Sequence, residues 1–404
     1  MESSELRELL TPDGLRLLDS LPAFDQKADV VSQVARLRKA GHSPELVAAV
    51  LGQSRLRAKG RTKFGDFAER MLFTEAGLEQ ATRLAVASTH AGRFRRAGVT
   101  RVADLGCGIG GDALAFAALE LGVLAVDRDE VTAAVATYNL APWSGAEVQL
   151  GDAEQVDLAG VDGVFLDPAR RTAGHANTSR IQDPSQWSPT LDTAFAFASR
   201  FPTGVKLGPG VDRDLLPTDA ECQWISVDRS VVEVGVWFGA LARPGVGRAA
   251  LVFGPDGPSE MTAPGDSNDV DVAELAEYVY EPDGAVIRAR LIGDLARTLD
   301  AHTISRDIAY LSSATARATP FAQCFRVIET FPLDEKRLRQ ELKTRGIGRV
   351  EIKKRGVDVD PAAFRKKLQL KGANEATLIL TRVAGRHTAL LCERVVAADL
   401  GTGA

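Results

Sequence analysis

The residues best placed to do chemistry lie in Asp104-Leu105-Gly106-Cys107-Gly108-Ile109-Gly110-Gly111 and in three later acids, Asp127, Asp152 and Asp167. Glycines at this density let the backbone turn sharply and let a ligand touch main chain directly. The spacing Gly106-x-Gly108-x-x-Gly111 formally satisfies a dinucleotide fingerprint, in which a pyrophosphate rests on a helix N-terminus. Asp104 points elsewhere, because a carboxylate at the mouth of the loop repels a pyrophosphate and attracts an ammonium. Asp127, followed by Arg128, can accept both hydroxyls of a ribose, and Asp152, in Gly151-Asp152-Ala153, can meet an adenine amino group. The predicted ligand is therefore a nucleoside that carries positive charge at one end, with a nicotinamide dinucleotide as the rival.

Asp167-Pro168-Ala169-Arg170-Arg171 is the second candidate constellation. Asp167 and Pro168 close an apolar run, and a carboxylate there could accept the proton of a reacting amine. Arg170 and Arg171 can grip a phosphate or stack on a base. Asp167, Pro168 and Arg170 are the residues expected to face the substrate. His175 follows in the same stretch and reads as a solvated loop histidine. Upstream of the glycine loop, Thr74, Gln80 and Thr82 are candidates to cover the ligand's charged end, although an amphipathic helix capping the sheet explains them equally well.

These groups need elements to position them. To about Gly98 the sequence reads as helical, with Thr11-Pro12 and Ser43-Pro44 as N-cap and first-turn pairs. From Thr100, strands alternate with helices: Val102 to Leu105, Val123 to Val126, Ala146 to Leu150, Val164 to Leu166 and Val205 to Leu207 are the strand candidates. That alternation predicts an α/β fold with a Rossmann-like parallel sheet, its ligand beyond the carboxyl ends of the strands. Gly254-Pro255-Asp256-Gly257-Pro258 reads as a linker, Ala285 to Leu299 as helical, and the stretch from Phe325 as a small α+β module. The expected domains are a helical region 1–98, a catalytic domain 99–252, a linker and helical connector 253–324, and a terminal module 325–404.

The chain has 404 residues, 45% apolar and 25% charged, which excludes disordered and fibrous classes. No apolar run approaches the roughly 18 residues of a membrane span. Four scattered cysteines give no Cys-x-x-Cys pair, so neither a disulfide framework nor a metal site is expected, and a reducing cytoplasm is the expected location. Net charge is -5, yet Lys336 to Arg386 holds 15 Lys and Arg against 5 Asp and Glu, a local balance of +10. An acidic body with a basic appendage suggests a polyanionic partner. Arg55, Arg57, Lys59, Arg61 and Lys63, at alternate positions, are a second candidate track for a phosphate backbone.

With these residues in view, the chain resembles a bacterial, actinobacterial-type group of class I S-adenosylmethionine-dependent methyltransferases with a C-terminal THUMP-like domain. The resemblance is carried by Asp104 to Gly111, Asp127, Asp152, Asp167 to Arg171, and Gly348 to Gly356 with Leu370-Lys371-Gly372. Ala136-Thr137-Tyr138-Asn139 is similar to an Ala-x-x-Asn pattern of several RNA methyltransferases. The resemblance implies S-adenosyl-L-methionine as cofactor. Asp104, Gly106, Cys107, Gly108 and Gly110, with Thr74 and Gln80, would take its amino-acid end, Asp127 and Arg128 its ribose, and Asp152 and Ala153 its adenine. In relatives that methylate nitrogen, an Asp/Asn-Pro-Pro-aromatic motif sits where this chain has Asp167-Pro168-Ala169-Arg170, so the second proline and the aromatic are both replaced. The expected activity is methylation of a tRNA or rRNA base, with RNA rather than DNA or a membrane as partner. A methyltransferase for a small molecule or protein, and a non-catalytic RNA-binding protein, are the competing readings.

Overall fold

A computed structural model describes residues 3–22, 24, 30–168, 187 and 189–396. The N-terminal helices are α1 (Ser3–Leu9), α2 (Pro12–Ser20), α3 (Val30–Lys39), α4 (Pro44–Phe64), α5 (Glu75–Gln80) and α6 (Leu84–Arg96). Thr11 and Ser43 cap α2 and α4 through their hydroxyls, each followed by proline in the first turn. An isolated helix end leaves donors unpaired, and these side chains satisfy them.

The alternating part follows as β1 (Arg101–Leu105), α7 (Gly111–Ala118), β2 (Gly122–Asp127), α8 (Glu130–Leu140), β3 (Ala146–Leu150), β4 (Gly163–Leu166), α9 (Leu191–Ala196) and β5 (Thr203–Leu207). These strands pair in parallel in the order β3-β2-β1-β4-β5. The order reverses between β1 and β4, the switch point at which such sheets open a crevice beyond their carboxyl ends. β1, β2, β4 and β5 are apolar and almost wholly buried, as strands covered on both faces must be. Phe94, Phe116, Phe165 and Trp237 form the aromatic centre of this core, with Arg93 over the indole and bonded to the Leu241 carbonyl.

The chain divides into two compact units, residues 1–207 with 236–243, and residues 208–235 with 244–404. The second unit contains β6 (Glu221–Val227), most of β7 (Ser230–Phe238), β8 (Arg248–Gly254) and β9 (Gly257–Ala263). The stretch expected as a linker is the turn of the β8–β9 hairpin: Gly257 has φ +101°, and the Pro-Asp-Gly chemistry that reads as a linker also closes an antiparallel pair. β10 (Tyr278–Pro282), α10 (Gly284–Arg288), α11 (Ile292–Leu299), β11 (His302–Thr303) and β12 (Leu311–Ser313) come next, so the single expected helix is two. The last elements are β13 (Ala322–Pro332), α12 (Glu335–Thr344), β14 (Ile347–Lys354), α13 (Pro361–Leu368), β15 (Asn374–Val383) and β16 (Arg386–Arg394). With β10, β11 and β12 they build a seven-stranded sheet in the order β11-β12-β10-β13-β16-β15-β14. α12 and α13 bury Leu338, Leu342, Phe364 and Leu368 against it and leave their cations in solvent.

Among the described residues, no helix is long and apolar enough to cross a membrane, and no group of three or more His, Cys, Asp or Glu could hold a metal ion.

Candidate active site

β1 delivers Asp104 to the end of the sheet, and the chain then turns through Gly106, Gly108 and Gly110 at φ +84°, +57° and +83°. Side chains are strained in that left-handed region, so the loop requires glycine. Gly106 and Cys107 donate their N–H groups to the Val126 carbonyl, and Gly108 donates to Asp127 Oδ2 at 3.0 Å. Asp127 Oδ1 accepts from Asp129 N at 2.9 Å. Burial raises the Asp127 carboxyl against these two N–H groups, and the side chain stays half-buried at the tip of β2. Arg128 beside it is exposed. Asp152, just past β3, is also exposed and accepts from Glu154 N, with Ala153 half-buried next to it. Strand register explains the alignment: Leu105 lies opposite Val126 and Leu166, and Asp127 opposite Leu150. The acids therefore sit along one edge of the sheet.

Asp104 is 1% exposed, and its Oδ2 has no hydrogen-bond partner among the described residues. Burial, with Asp112 and Asp167 nearby, pushes its carboxyl well above the usual range, against the pull of Lys206. Around it lies a network that the motifs alone do not reveal. His90 Nδ1–H donates to Asp112 Oδ1 at 2.9 Å, and Thr82 O–H donates to Asp112 Oδ2 at 2.6 Å. Lys206 Nζ donates to Thr82 Oγ1 at 2.8 Å and reaches Asp167 Oδ2 at 2.5 Å, with Asp112 Oδ2 farther off at 3.6 Å. Burial raises Asp112, but Lys206, His90 and Thr82 outweigh it and hold its carboxyl at about 2. Cys107 is buried, and that burial, with Asp104 and Asp127 close by, raises its thiol well above its ordinary value.

The segment before the glycine loop is clamped to it. Asn139 of α8, buried, accepts from Leu72 N at 2.8 Å and donates to the carbonyls of Leu72 and Ile109. Gln53 pairs with both backbone groups of Phe73. A Cβ on Gly77 would lie 2.4 Å from Ile109 Cγ2, so α5 packs directly against the loop. Of the residues expected to cover the ligand, Thr74 spends its hydroxyl capping α5, Gln80 is exposed at the end of that helix, and Thr82 joins the buried network. Lys63 donates to the Glu79 and Ala81 carbonyls and so holds the chain leading into Thr82. Burial, then Arg83 and Lys206, lowers Lys63 to about 8.

The Arg55-to-Lys63 series is not a phosphate track. Residues two apart on a helix do not share a face: on α4, Arg55 pairs with Glu75, Arg57 with Asp19 and the Met71 carbonyl, and Arg61 with Asp66 and Glu69, while Lys59 is exposed. Pro168 is buried beside half-buried Asp167. Arg170, Arg171 and His175 lie outside the described residues. Sequence reasoning missed Lys206, Asp112 and His90. The signal for Lys206 was a lone lysine between Val205 and Leu207 in an otherwise apolar strand.

Comparison with known proteins places this geometry. A THUMP domain-like family matches residues 322–394, which run from β13 to β16, and a domain of unknown function matches residues 2–60. A crystal structure of a candidate methyltransferase from Porphyromonas gingivalis W83 shares the fold, with a TM-score of 0.70 over 92% of this chain and 99% of that one at 21% identity. Two uncharacterized S-adenosylmethionine-dependent methyltransferases of Mycobacterium tuberculosis, from strains CDC 1551 and H37Rv, are each 32% identical over 357 residues, covering 86% of this chain and 95% of theirs. The chain belongs to the S-adenosylmethionine-dependent methyltransferase family of these mycobacterial proteins.

Proposed function

We propose that this protein methylates a base of structured RNA, tRNA or rRNA, at the pocket formed by the ends of β1, β2, β3 and β4. The observation that carries the cofactor assignment is Asp104: a buried carboxyl oxygen without a partner among the described residues, beside bare backbone, asks for a cation. S-adenosylmethionine brings an ammonium and a sulfonium, and nothing lies within 4 Å of where a Cβ on Gly108 would sit. The residues thus fit the group. Asp104 with Gly106, Cys107, Gly108 and Gly110 would hold its amino-acid end, next to α5, which Thr74 caps and which ends at Gln80. Asp127 and Arg128 would hold the ribose, and Asp152 with Ala153 the adenine.

The bound cofactor supplies a methyl already activated for transfer, so the protein's task is to place the acceptor in line with it. Asp167 is the group suited to orient an acceptor N–H and to take up its proton, with Pro168 and Arg170 following it. RNA as the acceptor is supported by the terminal module. Lys336, Arg339 and Lys343 on α12, Lys366 on α13 and Lys371 are exposed and form no ion pair among the described residues. The aromatics Phe331 and Phe364 are buried there, so backbone contact rather than base stacking is the mode available. Mass-spectrometric nucleoside profiling of RNA from a deletion strain and its parent tests the proposal. Loss of one methylated nucleoside from tRNA or rRNA is expected, and an unchanged profile contradicts RNA as substrate.

A further inference from the structure

We propose that Lys206 is a positioning residue for methyl transfer: its ammonium fixes the Asp167 carboxylate for the acceptor, and Thr82, Asp112 and His90 hold Lys206 in that pose. This rests on the reading that Asp167 meets the acceptor. Lys206 is 8% exposed, and a lysine so buried is stable only when its charge is paired and its donors are used. Asp112 is the more buried carboxylate and would neutralise Lys206 adequately if neutralisation were the whole purpose. The directions of the hydrogen bonds say otherwise. Asp112 is already served by the His90 N–H on one oxygen and the Thr82 O–H on the other. Because the Thr82 hydroxyl gives its proton to Asp112, its oxygen can only accept from Lys206, and this turns the ammonium toward Asp167. The short contact accordingly runs to Asp167, whose side chain is 36% exposed, and the long one to Asp112.

Strand register sets up the same pairing. Leu166 lies opposite Val205, so the next step along β4 and β5 brings Asp167 beside Lys206. Among the described residues, the charged groups facing this pair include Asp104 from β1, Asp112 from α7 and Lys63 from α4. Asp104 opposes a charge on Asp167, and Lys206 is a cation in direct contact that favours it.

The test reads Asp167 without any substrate. Full-length protein labelled with ¹³C at aspartate carboxyls is titrated by NMR, the Asp167 signal being assigned by its loss in Asp167→Asn. In Lys206→Met the Asp167 midpoint is expected to rise by at least about one pH unit, the size of effect an adjacent cation has on a carboxylate. Lys206→Arg is expected to keep most of the wild-type midpoint. Thr82→Val, which removes only the hydroxyl that aims Lys206, is expected to move the midpoint the same way by a smaller amount, and it carries the test should Lys206→Met not fold. An unmoved midpoint in a folded Lys206→Met or Thr82→Val protein overturns the proposal. With RNA as substrate, Lys206→Met is expected to lower kcat at least tenfold with KM little changed, and Lys206→Arg to restore part of it. A shifted midpoint in a protein that methylates no RNA would remove the RNA reading and leave the Lys206–Asp167 coupling standing.

Discussion

Gly106 and Asp167 touch across the switch point of the sheet: a Cβ on Gly106 would come within 3.2 Å of the Asp167 carbonyl oxygen. The loop glycine and the backbone of Asp167 thus approach closely. Gly106 also sits at φ +84°. Gly106→Ala is expected to lose about 1–2 kcal/mol for the left-handed backbone alone and to displace Asp167. Urea unfolding reads the first effect. Methyl transfer at saturating cofactor reads the second, and it is expected to fall further than stability.

The proposed role of Asp104 predicts a cofactor affinity that depends on its charge. Asp104→Asn keeps the shape and removes the carboxylate, and it is expected to weaken S-adenosylmethionine about 10- to 100-fold in calorimetry, the size of a charged hydrogen bond of about 1.5–3 kcal/mol. The carboxyl is raised in the free protein, so a bound cation that favours its ionised form must drive off a proton. Wild type is therefore expected to release protons on binding, seen as heats that differ between buffers of different ionisation enthalpy. Asp104→Asn is expected to release fewer.

The buried network carries its own pH signature. Asp112 is held at about 2 in the fold against an ordinary carboxylate value near 3.8. A depressed carboxyl stabilises the fold above its unfolded value, and that contribution disappears as pH falls toward the folded value. The stability gap between wild type and Asp112→Asn is expected to be constant above about pH 5 and to narrow steadily between pH 4 and pH 2. A gap that does not change with pH would mean that Asp112 is not ionised within the network.

The sheet and the glycine loop were legible because local pattern decides them: short apolar runs ending in Asp104, Asp127 and Asp167 have few alternatives. Thr11 and Ser43 were legible as caps for the same reason. Lys206, Asp112 and His90 were not, since β5, α7 and α6 meet only in the folded chain. The Arg55–Lys63 series misled because alternation means one face on a strand and scattered directions on a helix. Gly254 to Pro258 misled because hairpin turns and linkers draw on the same residues. Asn139 was legible as part of a pattern, but its role in joining Leu72 to Ile109 was visible only in three dimensions.

The proposed RNA contact of the basic module predicts an affinity that depends on salt. Each Lys or Arg contact to a phosphate contributes about 0.7–0.9 to the slope of log affinity against log salt. A Lys336→Ala/Arg339→Ala/Lys343→Ala variant of α12 is expected to lower the slope by about 2–3 in filter-binding measurements with bulk tRNA. An unaltered slope would take α12 out of the interface.

The most direct measurement is methyl transfer itself. Purified full-length protein is incubated with methyl-labelled S-adenosylmethionine and RNA from a strain lacking the gene, and the RNA is digested to nucleosides. Label in a single modified base with wild type, much less with Asp104→Asn at limiting cofactor and none with Asp167→Asn, is the expected result. Equal label with wild type and Asp167→Asn, or label in no nucleoside while wild type binds the cofactor, would contradict the account.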